Sequence, residues 1–162
     1  MAAGQSVVEV GRTAEGFLIR IIGRGTMRES LAFHDHVIDC LAKQSVKLTI
    51  DLEGCVYLDS TFLGCLVELH RRLGAARLSL VACEAGRKKL LAGMKLDRLF
   101  SIVESPPDTV GSTAALSAEV LDSRDLGQHA MHCHRELARL GGPNQEIFER
   151  IAEQLEQELK AE

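Results

Sequence analysis

A chain of 162 residues with an apolar fraction of 46% is long enough for one domain with a real core and too short for two large ones. Its formal charge of −4, with acidic and basic residues interspersed, supplies no broad attraction to nucleic acid or to an anionic membrane, so neither is expected as a partner. The aromatic share is 4% with no Trp, which leaves Leu, Val, Ile and Ala to fill the core.

No apolar run approaches the ~20 residues that a bilayer span needs, and the opening MAAGQSVVEVGR lacks a basic n-region followed by an apolar h-region. Cys40, Cys55, Cys65, Cys83 and Cys133 are odd in number, scattered through apolar segments and without a CxxC pair. They read as reduced core residues, and a cytoplasmic location is expected.

In chain order, Ser6–Val10 and Phe17–Ile22 read as two strands of a hairpin around a turn at Gly11–Gly16. Gly23-Arg24-Gly25-Thr26 follows as a tight turn. Its GxG lacks the third glycine of a dinucleotide fingerprint, where Arg28 stands, and no Walker lysine comes after it, so no cofactor is expected. Leu31, Phe33, His34, Val37, Ile38, Leu41 and Ala42 then form an apolar stripe that predicts an amphipathic helix over Ser30–Lys43.

The stretch Lys47–Gly64, KLTIDLEGCVYLDSTFLG, organises the rest. Leu48, Ile50 and Leu52 alternate with Lys47, Thr49 and Asp51 as in a half-buried strand, Gly54 marks a turn, and Cys55–Leu58 is a short apolar run. Asp59-Ser60-Thr61 prefers a helix N-terminus to a helix interior. Helical spacing begins at Phe62 and runs through Leu63, Leu66, Val67, Leu69 and Leu73. A helix starting at a Ser or Thr directs free N–H groups at the hydroxyls, so a phosphate on Ser60 or Thr61 would be stabilised there. The bland reading of Ser60 is a capping or first-turn serine worth ~1 kcal/mol to its helix.

Arg77–Ala82 reads as a buried strand, Glu84–Gly93 as a third helix, and Leu96–Val103 as a turn into a last short strand. The order ββαβαβα with a terminal strand implies an α/β fold, a mixed sheet with helices packed on it. Ser105-Pro106-Pro107-Asp108 ends the pattern. Helices are expected at Ser112–Leu121, Arg124–Leu140 and Asn144–Ala161, the last two separated by Gly141-Gly142-Pro143. Ile147, Ile151, Leu155 and Leu159 form a narrow stripe that either closes a helical hairpin with Met131, Leu137 and Leu140 or builds a homo-oligomer seam.

From about Val7 to Val103, roughly three fifths of the chain, the sequence resembles the STAS domain, the family of bacterial anti-sigma-factor antagonists. Asp51-Leu52, then Tyr57-Leu58-Asp59-Ser60-Thr61-Phe62-Leu63-Gly64, and Met94-Lys95-Leu96-Asp97-Arg98-Leu99-Phe100 downstream, carry the resemblance. It implies a STAS domain over residues 1–104, followed by a linker at 105–111 and an all-α extension at 112–162. In the family, the Ser after the motif's Asp is phosphorylated by a partner kinase that is also the anti-sigma factor. The resemblance assigns that role to Ser60, with Thr61 as runner-up. Unphosphorylated, such a protein binds the kinase and frees the sigma factor, and a phosphatase resets the switch. Transcription is thus regulated by partner switching, through a docking face made of Asp59, Ser60, Thr61, Phe62, Leu63 and Gly64. Asp59 is a capping carboxylate, a magnesium contact during phosphotransfer or a partner hydrogen-bond acceptor. Phe62 stands where the family usually has Gly, and either plugs the core or projects an apolar knob.

Other residue groups have plainer readings. His129, His132 and Cys133 share a helical face, but three ligands on one turn without a fourth fall short of a closed zinc site, so no metal is expected. His34 and His36 read as rim residues of a helix, and Arg87-Lys88-Lys89 as a solvated face. No base-and-orienter arrangement marks a nucleophile, so the protein is not expected to be an enzyme, and a nucleotide-hydrolysing module ranks last. The alternative to a phosphorylation switch is a constitutive scaffold or oligomerising module.

Overall fold

The computed structural model describes residues 6–43, 46–116 and 121–161. Strands β1 (Val7–Thr13) and β2 (Gly16–Gly25) form the antiparallel hairpin, followed by α1 (Met27–Lys43), β3 (Lys47–Asp51), β4 (Cys55–Leu58) and α2 (Ser60–Leu73). Then come β5 (Leu78–Val81), α3 (Glu84–Leu90), β6 (Ser101–Val103), β7 (Thr109–Ala115), α4 (Ser123–Arg139) and α5 (Gln145–Ala161). The mixed sheet runs β6-β5-β3-β2-β1-β7, with β4 also paired to β2. This is the α/β sheet with packed helices that the element order predicts.

The long β2 explains how the chain reaches Ser60. Its first half pairs in parallel with β3, Gly16 opposite Lys47 through Arg20 opposite Asp51, and its end pairs with β4, Gly25 opposite Leu58. The register breaks between Gly23 and Arg24, and Gly23 takes φ 83°, a conformation in which a side chain would be strained. The Gly23–Thr26 segment is therefore a bulged strand end, in place of the tight turn expected there.

Ile19 and Ile21 of β2, Leu48 and Ile50 of β3, Leu78 and Leu80 of β5 meet Phe33 and Val37 of α1 and Phe62, Leu66 and Leu69 of α2 in one core. Cys133 and Leu137 of α4 join the same core. α2 is buried over Thr61–Leu69 and again at Leu73, with α1 and α4 both packed on it. A helix buried on so many sides needs little polar surface, which is why its first ten residues carry few charges.

Two further expectations are corrected. The helix expected from Ser112 is a strand over Thr109–Ala115, pairing with β1 at the sheet edge, and residues 117–120 of that expected helix lie outside the described residues. Thr109, Val110 and Thr113 suit an extended chain, and Gly111 would weaken a helix. β7 is almost wholly exposed, so no apolar alternation announced it. The helix expected at Glu84–Gly93 ends at Leu90 and gives way to two short 3₁₀ turns, Ala92–Met94 and Leu96–Arg98, joined by Lys95 at φ 58°.

Candidate functional site

The site is built where β4 hands the chain to α2. Asp59 donates its N–H to the Gly25 carbonyl (2.9 Å), which anchors it to the end of β2. One carboxylate oxygen accepts from the Phe62 N–H at 2.8 Å and caps α2, while the other accepts from the Met27 N–H at 2.7 Å and so holds the start of α1. Of its three readings, Asp59 thus takes the capping one, and it ties two helix N-termini together. Burial raises its pKa, against the lowering effect of those two N–H bonds. A second cap, unnoticed in the sequence, is the pair Thr26 and Glu29, with the Thr26 N–H donating to Glu29 Oε2 at 3.1 Å.

With Asp59 as the cap, Ser60 is the first helical residue, and α2 does not use its hydroxyl. Ser60 is half-buried, whereas Thr61 is 5% exposed. Ser60 Oγ lies 2.9 Å from Nε2 of His134 in α4. The other ring nitrogen, Nδ1, is 2.6 Å from the Ala130 carbonyl, which can only accept. Nδ1 therefore carries a proton, and in the neutral ring Nε2 accepts from the Ser60 hydroxyl.

Phe62 plugs the core: it is fully buried and stacks on Phe33, with ring centroids 5.2 Å apart. Leu63 is buried as well. Gly64 meets α4 directly, since a Cβ there would stand 2.2 Å from the Cys133 carbonyl oxygen. It does for α4 what a glycine at position 62 would do for a docking partner, by letting a backbone come close.

The helices meet through further polar pairs. Ser30 Oγ of α1 is 2.7 Å from His129 Nε2 of α4, and both residues are buried. The Arg71 guanidinium of α2 grips Glu136 of α4 through two bonds, of 2.7 and 3.1 Å. His34 Nε2 lies 2.9 Å from Glu68 Oε2. That bond raises the His34 pKa and, with burial opposing it, brings Glu68 down to about 2. Burial first, then the charge on His34, lowers His129 to about 4, so His129 is neutral at physiological pH.

Of the residues the metal reading grouped, His129 and Cys133 are buried side by side, with Sγ 3.6 Å from Nε2, while His132 faces solvent. His36 Nε2 is 3.5 Å from Cys40 Sγ on α1, and Lys88 and Lys89 are exposed on α3. His134 was missed because nothing in the sequence links it to Ser60, 74 residues away. The i, i+4 recurrence of His129, Cys133 and Leu137 does mark the buried stripe of α4. A depression of ≈ 660 Å³ at the opposite end of the sheet, lined by Thr13, Lys47, Ser79 and Pro106 among others, takes no part in this site. No helix among the described residues is long and apolar enough to cross a membrane.

No curated protein matches the chain. The crystal structure of an anti-sigma factor antagonist from Mycobacterium paratuberculosis aligns with a TM-score of 0.54 at 21% identity, covering 64% of this chain and 90% of that one. At that identity the likeness is one of fold. The family described as Mlab, STAS domain matches residues 8–104, more than half of the chain, and the protein therefore belongs to the STAS domain family.

Proposed function

We propose that this protein is an anti-sigma-factor antagonist-like regulator that acts in the cytoplasm by binding and not by catalysis. It docks an anti-sigma kinase through the start of α2, and phosphorylation of Ser60 switches the docking off until a phosphatase resets it. The observation that carries this reading is the division of labour at the helix start. Asp59 satisfies the helix's own N–H groups, which leaves the Ser60 hydroxyl free of any structural duty to α2. A phosphate there meets the positive end of the helix, yet adds a charge near −2 beside Asp59 and repels an acidic partner face. Burial of Thr61 favours Ser60 over it as the acceptor.

Peptide mapping of the protein purified from its own cells tests the switch. Phosphate on Ser60, absent in the Ser60→Ala variant, is expected, and protein that carries none under any growth condition refutes it. Leu140 and Ile147, exposed at the turn between α4 and α5, support a second reading, an oligomerising scaffold. Light scattering that finds a monomer removes that reading.

A further inference from the structure

The face of α2 that begins at Ser60 is already occupied. α4 packs along it, and α5 packs on α4. Three polar contacts fasten α4 down: Ser60 to His134 at 2.9 Å, Ser30 to His129 at 2.7 Å, and Arg71 to Glu136 at 2.7 Å. Between them the Cys133 backbone sits in the notch left by Gly64. The residues buried along α4 are small (Ala130, Cys133, Ala138) or polar (His129, His134, Glu136), with Met131 and Leu137 the large apolar ones. Polar pairs thus line much of this contact, while Cys133 and Leu137 join it to the core.

The contact between Ser60 and His134 also depends on the chemical state of Ser60. With the proton on Nδ1 of a neutral ring, the Ser60 hydroxyl donates to His134 Nε2, and phosphorylation of Ser60 removes that donor. The His134 ring is itself backed by Phe148 of α5, with centroids 5.9 Å apart.

We propose that the α4–α5 hairpin is an autoinhibitory cap: it occupies in cis the face on which the partner docks, and Ser60 opens to kinase and partner only when the hairpin leaves. The proposal rests on the reading of that face as the docking surface. Opening the cap uncovers Cys65 of α2 and Cys133 of α4, neither of which is exposed in the closed form. Cys55 is also buried, but on β4, against which α3 packs.

Thiol labelling of the full chain with a chromogenic disulfide, each cysteine followed by mass spectrometry, therefore reads the cap directly. Two variants on the hairpin side leave α2 untouched: Leu137→Asp, which puts a charge into the interface, and the milder His134→Ala, which removes the bond to Ser60. In native buffer the wild-type Cys65 and Cys133 are expected to react at least about tenfold faster than Cys55, and in both variants to gain about a further tenfold while Cys55 does not. The proposal is overturned if Cys55, Cys65 and Cys133 react at one common rate, or if either variant exposes all three together, because the hairpin then opens only with the whole fold. No kinase or partner enters this measurement, so a failure of the docking reading and a failure of the cap give different results.

Discussion

His129 makes the folded state sensitive to acid by an amount that can be worked out. Its ring is 7% exposed beneath α1, where it meets Ser30 and His34, with Glu68 of α2 and its own neighbours His132 and Cys133 nearby. Its pKa falls from 6.5 to about 4 on folding, so the unfolded chain binds the extra proton throughout that interval. Stability from this group is therefore complete above about pH 6.5 and drains away as pH falls towards 4. From about pH 7.5 to about pH 5 the linkage amounts to about 2 kcal/mol. His34 works in the opposite sense, because its pKa is raised and its contribution is present at low pH and lost as pH rises. Glu68, held at about 2, loses its contribution only below the ordinary carboxylate range. The His129→Gln variant isolates the term: urea unfolding of both proteins, followed by far-ultraviolet circular dichroism at the two pH values, should show the wild type losing about 2 kcal/mol more than the variant. Identical pH dependence in the two proteins would refute the argument that His129 is buried neutral under α1.

Three other perturbations probe the same region. Phe62→Ala empties a fully buried position stacked on Phe33 and should cost about 3–5 kcal/mol in urea unfolding; a cost below about 1 kcal/mol would mean that the ring is not a core plug. Asp59→Ala removes the acceptor of two helix-start N–H groups and should cost about 2–4 kcal/mol, with hydrogen exchange rising at the first turns of both α1 and α2. Gly64→Ala improves α2 by up to about 1 kcal/mol of helix propensity while driving a Cβ into the Cys133 carbonyl, so exchange should rise along α4 and not along α2.

Much of the fold was legible because its signals are local. The alternation of Leu48, Ile50 and Leu52, the switch to helical spacing at Phe62, and the Gly-Gly-Pro break before α5 each depend on a few neighbouring residues. The strand β7 was not legible, because an exposed edge strand has no buried face to impose alternation on Thr109–Ala115. At the site, Asp59 and Ser60 stand out by residue type and position, whereas the cover over them does not. The choice of His134 as neighbour to Ser60, or of His129 to Ser30, is made by how α4 crosses α1 and α2, across separations of 74 and 99 residues. One local clue was present: Gly64 and Cys65 lie beside the core stripe in a run with almost no charge, which is the pattern of a helix covered on more than one side.

The start of α2 is proposed here as a docking face, covered by α4 and closed to partners by charge at Ser60. Affinity purification of the tagged full chain from its own cells tests it most directly, with bound proteins quantified for wild type, Leu137→Asp and Ser60→Glu. A kinase-like anti-sigma factor is expected with the wild type, in higher yield with Leu137→Asp, and not with Ser60→Glu. Equal recovery of the same proteins by the wild type and both variants would contradict it.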